Sequence, residues 1–314
     1  MDRTNKDEVM VSICCITYNH ANFVADALDG FLMQETDFKY EILIHDDAST
    51  DGTADVIRSY EEKYPDLVKP IYQTENQYSK GKKIIATFMY PKAKGKYIAF
   101  CEGDDYWTDP KKLQIQFDYM EKHPEVVCCY HVDYLLEGDV LTKKSRVPAE
   151  FQRSYSSMEM MSGQTYISPV TMFYRKLDIL MNYPPEAPFI KNGDTYLISM
   201  LGQHGSGAFL PNIKPAVYRI HKGGMWSKKS NSHRKAMALN SWFWLAEYYS
   251  RIGNEKVEDE YRRRYIIGAM ATVPFMRLVR IFAKSLLDYL LCPFNSLKKK
   301  YFCKDKPVLE SMKI

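Results

Sequence analysis

The sequence predicts an α/β fold: a mainly parallel sheet with helices on both faces, followed by a C-terminal helical extension. Three observations carry this. Short apolar, β-branched runs alternate with segments of helical periodicity through the first half of the chain, and strand–helix–strand order implies parallel pairing with crossovers. With 314 residues and 46% hydrophobic content the chain can build a substantial core. From Ser232 onward the pattern changes to long helical stretches, which places a domain boundary near residue 235 and leaves 236–314 as the extension.

The elements follow in order. Val9 to Ile16 reads as the first strand, and Val24, Leu28, Phe31 and Leu32 then recur at helical spacing. Tyr40 to His45 is a second compact apolar run, followed by Ile57, Tyr60 and Tyr64 at helical intervals up to the stop at Pro65. Val68 to Gln73 and Tyr97 to Cys101 are further strands. Thr108-Asp109-Pro110 reads as a helix start, with Asp109 the N-cap and Pro110 the first helical residue, leading to Leu113, Phe117 and Met120. Val126 to Tyr130 resumes as a strand, and Leu135 to Arg153 lacks periodicity and reads as loop or hairpin. Thr165 to Tyr174 and Ala208 to Tyr218 read as strands flanking a helix from about Asp194 to Leu201. Asn240 to Arg264 and Phe275 to Leu291 are helical.

Composition excludes some functions. A net charge of +4 with the two signs nearly balanced lacks the concentrated basicity of a nucleic-acid binder. Met1 to Met10 is polar and mixed in charge, without the apolar core of a secretory signal, so a cytosolic location is expected. The seven cysteines mostly sit in apolar runs, as Cys14, Cys15, Cys101, Cys128 and Cys129 do, and read as buried thiols. Neighbouring residues on a strand face opposite ways, which disfavours one ion shared by Cys14/Cys15 or Cys128/Cys129.

In open α/β sheets ligands sit beyond the carboxyl ends of the strands. Here three such ends are polar: Thr17-Tyr18-Asn19-His20, Asp46-Asp47-Ala48-Ser49-Thr50-Asp51-Gly52-Thr53, and Glu102-Gly103-Asp104-Asp105-Tyr106-Trp107. Carboxylates crowded into one crevice raise one another's pKa, and a hard divalent cation relieves that crowding. Magnesium or manganese held by one or two carboxylates and substrate phosphates matches a short acidic cluster of this kind. Asp51-Gly52 is explained by turn chemistry alone, whereas an acidic cluster directly after an apolar strand points to a ligand site.

Val11-Ser12-Ile13 through Thr17-Tyr18-Asn19, His45 through Thr53, and Gly95 through Phe100 running into Glu102-Gly103-Asp104-Asp105 together resemble the inverting glycosyltransferases of family two, which have the GT-A fold. The likeness covers roughly residues 9 to 227. It implies that Thr17, Tyr18 and Asp46 face the nucleotide base of a nucleoside-diphosphate sugar, expected to be a UDP sugar, with Asn19 and Asp47 beside them. Asp104 would be the metal ligand of the D-x-D motif, with Asp105 supporting the metal from behind. Glu102 stands where the family usually has Asp, which leaves its ribose contact open. Asn192-Gly193-Asp194-Thr195 resembles the acceptor-side motif in which an aspartate is the general base, the reading preferred here over that of Asp194 as an N-cap. Tyr218-Arg219-Ile220-His221-Lys222-Gly223-Gly224 resembles the segment whose histidine completes the metal site, against a structural reading of His221.

Other features are weaker. Lys80-Gly81-Lys82-Lys83 reads as a solvated loop in preference to a diphosphate contact. Lys222, Lys228 and Lys229 read as phosphate contacts or as solvated loop residues. Trp107 and Trp226 are sugar-stacking walls or core. The Phe275–Leu291 helix places Phe275, Leu278, Val279, Phe282, Leu286 and Leu290 on one side and Arg277, Arg280, Lys284 and Asp288 on the other, with Lys298-Lys299-Lys300 beyond. That pattern predicts a helix lying on an anionic membrane surface at the cytoplasmic face, or one packed on protein.

The expected function is therefore transfer of a sugar from a nucleotide donor to a hydroxyl of a glycan or lipid-linked acceptor in cell-surface polysaccharide synthesis. A sugar nucleotidyltransferase would open with a glycine-rich phosphate loop, which Thr17-Tyr18-Asn19-His20 is not. A non-catalytic nucleotide-sugar-binding or membrane scaffold protein would have no need of Asp194.

Overall fold

The computed structural model describes residues 8–224 and 226–291. The alternation continues through β1 (Val9–Thr17), α1 (Val24–Leu32), β2 (Lys39–Asp46), α2 (Thr53–Lys63), β3 (Val68–Tyr72) and β4 (Tyr97–Glu102). Then come α3 (Lys112–Lys122), β5 (Val126–Tyr130), a hairpin of β6 (Asp133–Glu137) and β7 (Val140–Thr142), and the short α4 (Ser157–Met161). The remaining elements are β8 (Phe173–Arg175), α5 (Gly193–Gly202), β9 (Ser206–Phe209), β10 (Ala216–Ile220), α6 (Asn231–Arg251), α7 (Glu255–Met270) and α8 (Phe275–Leu291).

Seven strands form the main sheet in the order β3-β2-β1-β4-β8-β5-β9, parallel except where β8 runs against β4 and β5. The strands are apolar along their length because both faces are covered. On β1, Ile13 and Cys15 pack with α1, α2 and α3 through Leu28, Phe31, Ile57 and Leu113, while Cys14 belongs to the other core, with Tyr196, Met200 and Tyr249 of α5 and α6. Cys14, Cys15, Cys101, Cys128 and Cys129 are buried and free, and burial pushes each thiol above its ordinary range. Thiols this hard to ionise are poor nucleophiles and poor metal ligands.

The strand register sets the ligand site. Thr17 pairs with Asp46 and Ile16 with Glu102, so the polar residues that end β1, β2 and β4 emerge at one level. Between β1 and β4 the order of the strands reverses, the place where open α/β sheets form their crevice.

Three expectations are corrected. Thr165 to Tyr174 is a strand only at its end: Pro169 opens a 3₁₀ turn over Pro169–Thr171, and pairing begins at Phe173. Ala208 to Tyr218 is two strands in two sheets; Pro211 and Pro215, which have no N–H to give a ladder, lie where the chain leaves β9 and crosses to β10. There β10 joins β6 and β7 in a second sheet. Helix α3 starts at Lys112, and Asp109 caps a turn ahead of it, its carboxylate accepting the backbone N–H of Lys111 at 3.0 Å and of Lys214 at 2.8 Å.

The boundary expected near residue 235 also moves. The chain divides into compact units at 1–262 and 263–314, because α6 and the start of α7 bury Leu245, Ala246, Tyr249, Val257 and Tyr261 in the core of the first unit. Aromatic residues mixed with charges hid that packing face. In the second unit, α8 exposes Met276, Val279 and Phe282. The side chains of Phe275, Leu286, Asp288 and Leu290 and the whole of residues 298–300 lie outside the described residues. Among the described residues no helix is long and apolar enough to cross a membrane.

Candidate active site at the strand ends

Beyond β1 the chain turns sharply, with Asn19 at φ 57°, a left-handed conformation that Asn tolerates better than most residues. Asn19 ties two strand ends together: its side-chain Oδ1 accepts the N–H of Thr50 at 2.8 Å, and its backbone N–H donates to Ser49 Oγ at 2.8 Å. Asp46 is buried and accepts from Ser49, Oγ at 2.5 Å and N–H at 3.2 Å, while Thr17 Oγ1 donates to it at 3.2 Å. The carboxylate of Asp47 is spent on the backbone N–H groups of Gln77 and Tyr78, at 2.8 and 3.0 Å, and so anchors the loop after β3. Tyr18 stands exposed at the rim. Asp51 makes the turn its sequence suggested, accepting the N–H and the hydroxyl of Thr53.

The β4 exit forms the centre. Gly103 has no room for a side chain: a Cβ there would lie 2.3 Å from Thr17 Cγ2 and 3.2 Å from His20 Nδ1. This close approach brings the β1 turn against the acidic segment. Asp105 is buried and accepts the N–H of Arg219 at 2.8 Å, while the Arg219 guanidinium donates to Asp104 O at 2.9 Å and to Asp26 at 2.6 Å. Tyr106 and Val217 exchange both backbone hydrogen bonds. This docking carries His221 to Asp104, its Nε2 2.9 Å from Asp104 Oδ2, and His20 Nε2 stands 3.7 Å from the same oxygen.

His20, Asp104 and His221 each offer a ligand atom, all within 4.8 Å of one another, and Glu102, Asp104 and Asp105 form a second such group. Asp104 Oδ1 and His20 Nδ1 are buried without a hydrogen-bond partner. A buried carboxylate oxygen with no donor is costly, and a cation beside it removes the cost. One carboxylate with two imidazoles is a donor set that fits manganese better than magnesium, which prefers all-oxygen surroundings.

The electrostatics match that reading. Burial, with the charges of Asp104 and Asp194 and against the pull of Arg146, pushes Glu102 up to about 8. Burial and the same crowding hold Asp105 well above the carboxylate range. Burial would raise Asp104 as well, but the hydrogen bond from His221 and the charges of His20 and His221 bring it below its usual value. Burial lowers His20, which favours the neutral imidazole a metal requires.

A cavity of about 590 Å³ opens beside this cluster. Glu102, Asp105, Arg146, Tyr218, Trp226 and Asp194 line it. Asp194 is the second residue of α5, exposed, with Oδ1 on the N–H of Thr195 at 2.7 Å. It is not the N-cap, a position held by Asn192 without a side-chain bond. Trp107 is core, its indole N–H bonded to Val170 O at 2.8 Å, whereas Trp226 is 40% exposed at the cavity. Lys222, Lys228 and Lys229 are not among the lining residues. Lys83 departs from the solvated-loop expectation: it is half-buried, lines the cavity, and donates to Ile190 O at 2.7 Å.

Sequence reasoning missed His20, Arg146 and Arg219 as site residues. His20 had a signal, since it directly follows Thr17-Tyr18-Asn19 at a strand exit. Arg146 had none, lying in a stretch without periodicity. It is pinned by Asp133 at 3.1 Å and Ser168 at 2.6 Å and lies 3.4 Å over the Tyr218 ring.

Comparison with known proteins agrees with this architecture. Residues 12–180 match Glycosyl transferase family 2, and the chain belongs to that family. An uncharacterised protein of Mycobacterium tuberculosis is 36% identical over 227 residues, 72% of this chain and 63% of its own length, so the match spans less than two thirds of that relative. The Escherichia coli UDP-Glc:alpha-D-GlcNAc-diphosphoundecaprenol beta-1,3-glucosyltransferase WfaP is 29% identical over 221 residues, 70% of this chain and 81% of its own. Among solved structures, S. aureus TarS 1-349 in complex with UDP superposes with a TM-score of 0.58 at 16% identity, over 86% of this chain and 77% of that one. The mannosyltransferase PcManGT from Pyrobaculum calidifontis in complex with GDP-Man and Mn2+ gives 0.55 at 18% identity, over 93% and 84%. These two likenesses establish the GT-A fold.

The raised Glu102 carboxyl makes a pH dependence testable in metal-free protein. Between about 4.5 and about 8 the folded state binds more protons at this site than the unfolded state does, so stability is full below the window and falls as pH rises through it. Urea titrations in EDTA should show a falling midpoint from pH 5 to 8, and Glu102→Gln should flatten it and gain about 1–3 kcal/mol at pH 8. An unaltered slope in the variant would place the burden on other groups.

Proposed function

We propose that this protein is an inverting, metal-dependent glycosyltransferase. It moves a sugar from a nucleoside-diphosphate donor, a UDP sugar, to a hydroxyl of a glycan or lipid-linked acceptor in cell-surface polysaccharide synthesis. The observation that carries the reading is the meeting of Asp104, His221 and His20 at the end of β4, next to a cavity that also holds Asp194. The names of the relatives support the substrate classes: one acts on a lipid-linked GlcNAc diphosphate with UDP-Glc, and one solved neighbour holds UDP.

In this reading Thr17, Tyr18, Asn19 and Asp46 form the nucleotide wall, with Asp47 holding the loop over it. Asp104, His221 and His20 would hold a divalent ion, manganese for preference. When bound, that ion neutralises the diphosphate leaving group. Glu102 and Arg146 contact the donor from the cavity side. Asp194 takes the acceptor proton as the hydroxyl attacks the anomeric carbon from the face opposite the departing diphosphate, which inverts that carbon. Its Oδ1 is oriented by Thr195 and its Oδ2 is left for substrate.

Two substitutions separate the roles. Asp104→Asn should keep the fold and lose manganese-dependent UDP binding in calorimetric titration; unchanged affinity would remove Asp104 from the metal site. Asp194→Asn should bind donor normally yet turn over at least about 100-fold more slowly, the scale of a lost general base. Turnover within a few-fold of wild type would leave a nucleotide-sugar-binding protein as the better description.

We also propose that the chain works at the cytoplasmic face of the membrane. The support is α8, with Arg277, Arg280 and Lys284 beside the exposed Met276, Val279 and Phe282. Basic residues near an anionic surface contribute about 1 kcal/mol each. In flotation assays the full chain should rise with anionic liposomes at low salt and stay behind at high salt, and a chain ending at Arg264 should not float; equal flotation of both would assign the helix to the protein interior.

A further inference from the structure

Two of the three side chains that meet at the end of β4 are imidazoles, His20 and His221. The second nitrogen of a metal-binding imidazole is normally hydrogen-bonded, and that bond sets the angle of the ring. His20 Nδ1 is buried and has no such partner. Packing has to do what the hydrogen bond does elsewhere.

Phe23 is placed to do it. Its backbone N–H donates to His20 O at 2.9 Å, so the two residues share the turn that leads into α1. Its ring meets the His221 imidazole in a T-shaped contact, with centroids 4.5 Å apart and planes at 61°, and lies 6.4 Å from the His20 ring. Gly223 also closes on His221: a Cβ there would lie 2.9 Å from its Cε1 and Nδ1. The two imidazoles stand nearly perpendicular, at 80°.

A second contact ties this turn to β10. The Arg219 guanidinium lies 4.7 Å over the Phe23 ring and ends on Asp26 of α1 at 2.6 Å. Arg219 is 9% exposed and Asp26 53%. An ion pair half in water adds little to folding stability. This one joins the helix that follows His20 to the strand that ends before His221, and Asp26 itself is in neither group of candidate metal ligands.

We propose that Phe23 and Asp26 are positioning residues of the metal site: Phe23 holds the two imidazoles at their angle, and Asp26, acting through Arg219, holds Phe23. The proposal rests on the metal-dependent glycosyltransferase reading and deepens it, because α1 then sets the preference for one ion over another. Imidazole nitrogens favour manganese, whereas magnesium takes oxygen ligands. Loosening the rings should therefore weaken the first ion and spare the second.

The measurement is titration of manganese into the full chain with UDP present, followed by the free-ion EPR signal, with magnesium read by displacement. Phe23→Leu keeps apolar bulk without the flat ring and should weaken manganese at least about tenfold, the scale on which lost ligand-orienting groups act. Magnesium should stay within about twofold of wild type, since its oxygen ligands are untouched. Asp26→Ala should weaken manganese in the same direction, and Asp26→Glu, which still reaches Arg219, should restore it. Asp29→Ala removes an equal charge from the same helix, but Asp29 bonds to Tyr60 and not to Arg219, so manganese should bind as in wild type. Urea midpoints of the Asp26 variants should lie near that of wild type.

The assignment is overturned if Phe23→Leu or Asp26→Ala binds manganese as wild type does, or if Phe23→Leu loses both ions equally. It is also overturned if Asp29→Ala weakens manganese as much as Asp26→Ala, which would make the effect one of net charge. Any of these results with a wild type that binds manganese removes only the positioning role. A wild type that takes no manganese removes the metal reading itself, and this assignment with it.

Discussion

The junction between the end of β4 and β10 is the constraint on which the site depends. Asp105, buried among carboxylates, accepts the Arg219 N–H, and Arg219 in turn reaches Asp104 O and Asp26. With the Tyr106–Val217 bridge these bonds fasten the small sheet to the large one. The sequence separation is more than a hundred residues, so the loop-closure entropy of the join is met by the packing of the whole first unit. Without that join, His221 has no reason to stand beside Asp104.

The same junction concentrates unfavourable charge. Glu102 and Asp105 are both pushed up by burial and by the charge of Asp104, while Asp104 is drawn down by the two histidines. A site that separates its carboxylates in this way gives up stability in the empty state, which is usual where a charged ligand is to be received. The central strands beneath are buried on both faces, and their thiols are inert.

The cavity divides its lining by chemistry. Arg146 stands with Glu102 and Asp105 and is fixed by Asp133, Ser168 and the Tyr218 ring, whereas Lys83 is bonded to Ile190 O ahead of α5. Asp194 lies in the first turn of α5.

Much of this was legible before any coordinates. Tyr40 to His45 and Tyr97 to Cys101 are strands because compact apolar runs flanked by helical periodicity have few other solutions, and Thr17, Asp46 and Glu102 had to converge once those strands lay parallel. Asp104 stood out because acidic residues leaving an apolar strand are rare without a task, and Asp194 through the likeness of Asn192-Gly193-Asp194-Thr195 to an acceptor-side motif. The sequence could not say that Ala208 to Tyr218 is shared between two sheets, since periodicity measures burial and not which sheet buries a residue. It did not reveal that α6 belongs to the core, because Tyr248 and Tyr249 bury their rings amid charges. Nor could it place His20 against Asp104, Arg146 over Tyr218, or Lys83 on Ile190. Local sequence determines the elements and their polar ends. The distances that bring His20 and His221 to Asp104, and the cavity that brings Asp194 near Glu102, arise from packing between residues far apart in the chain, and only the tertiary structure decides them.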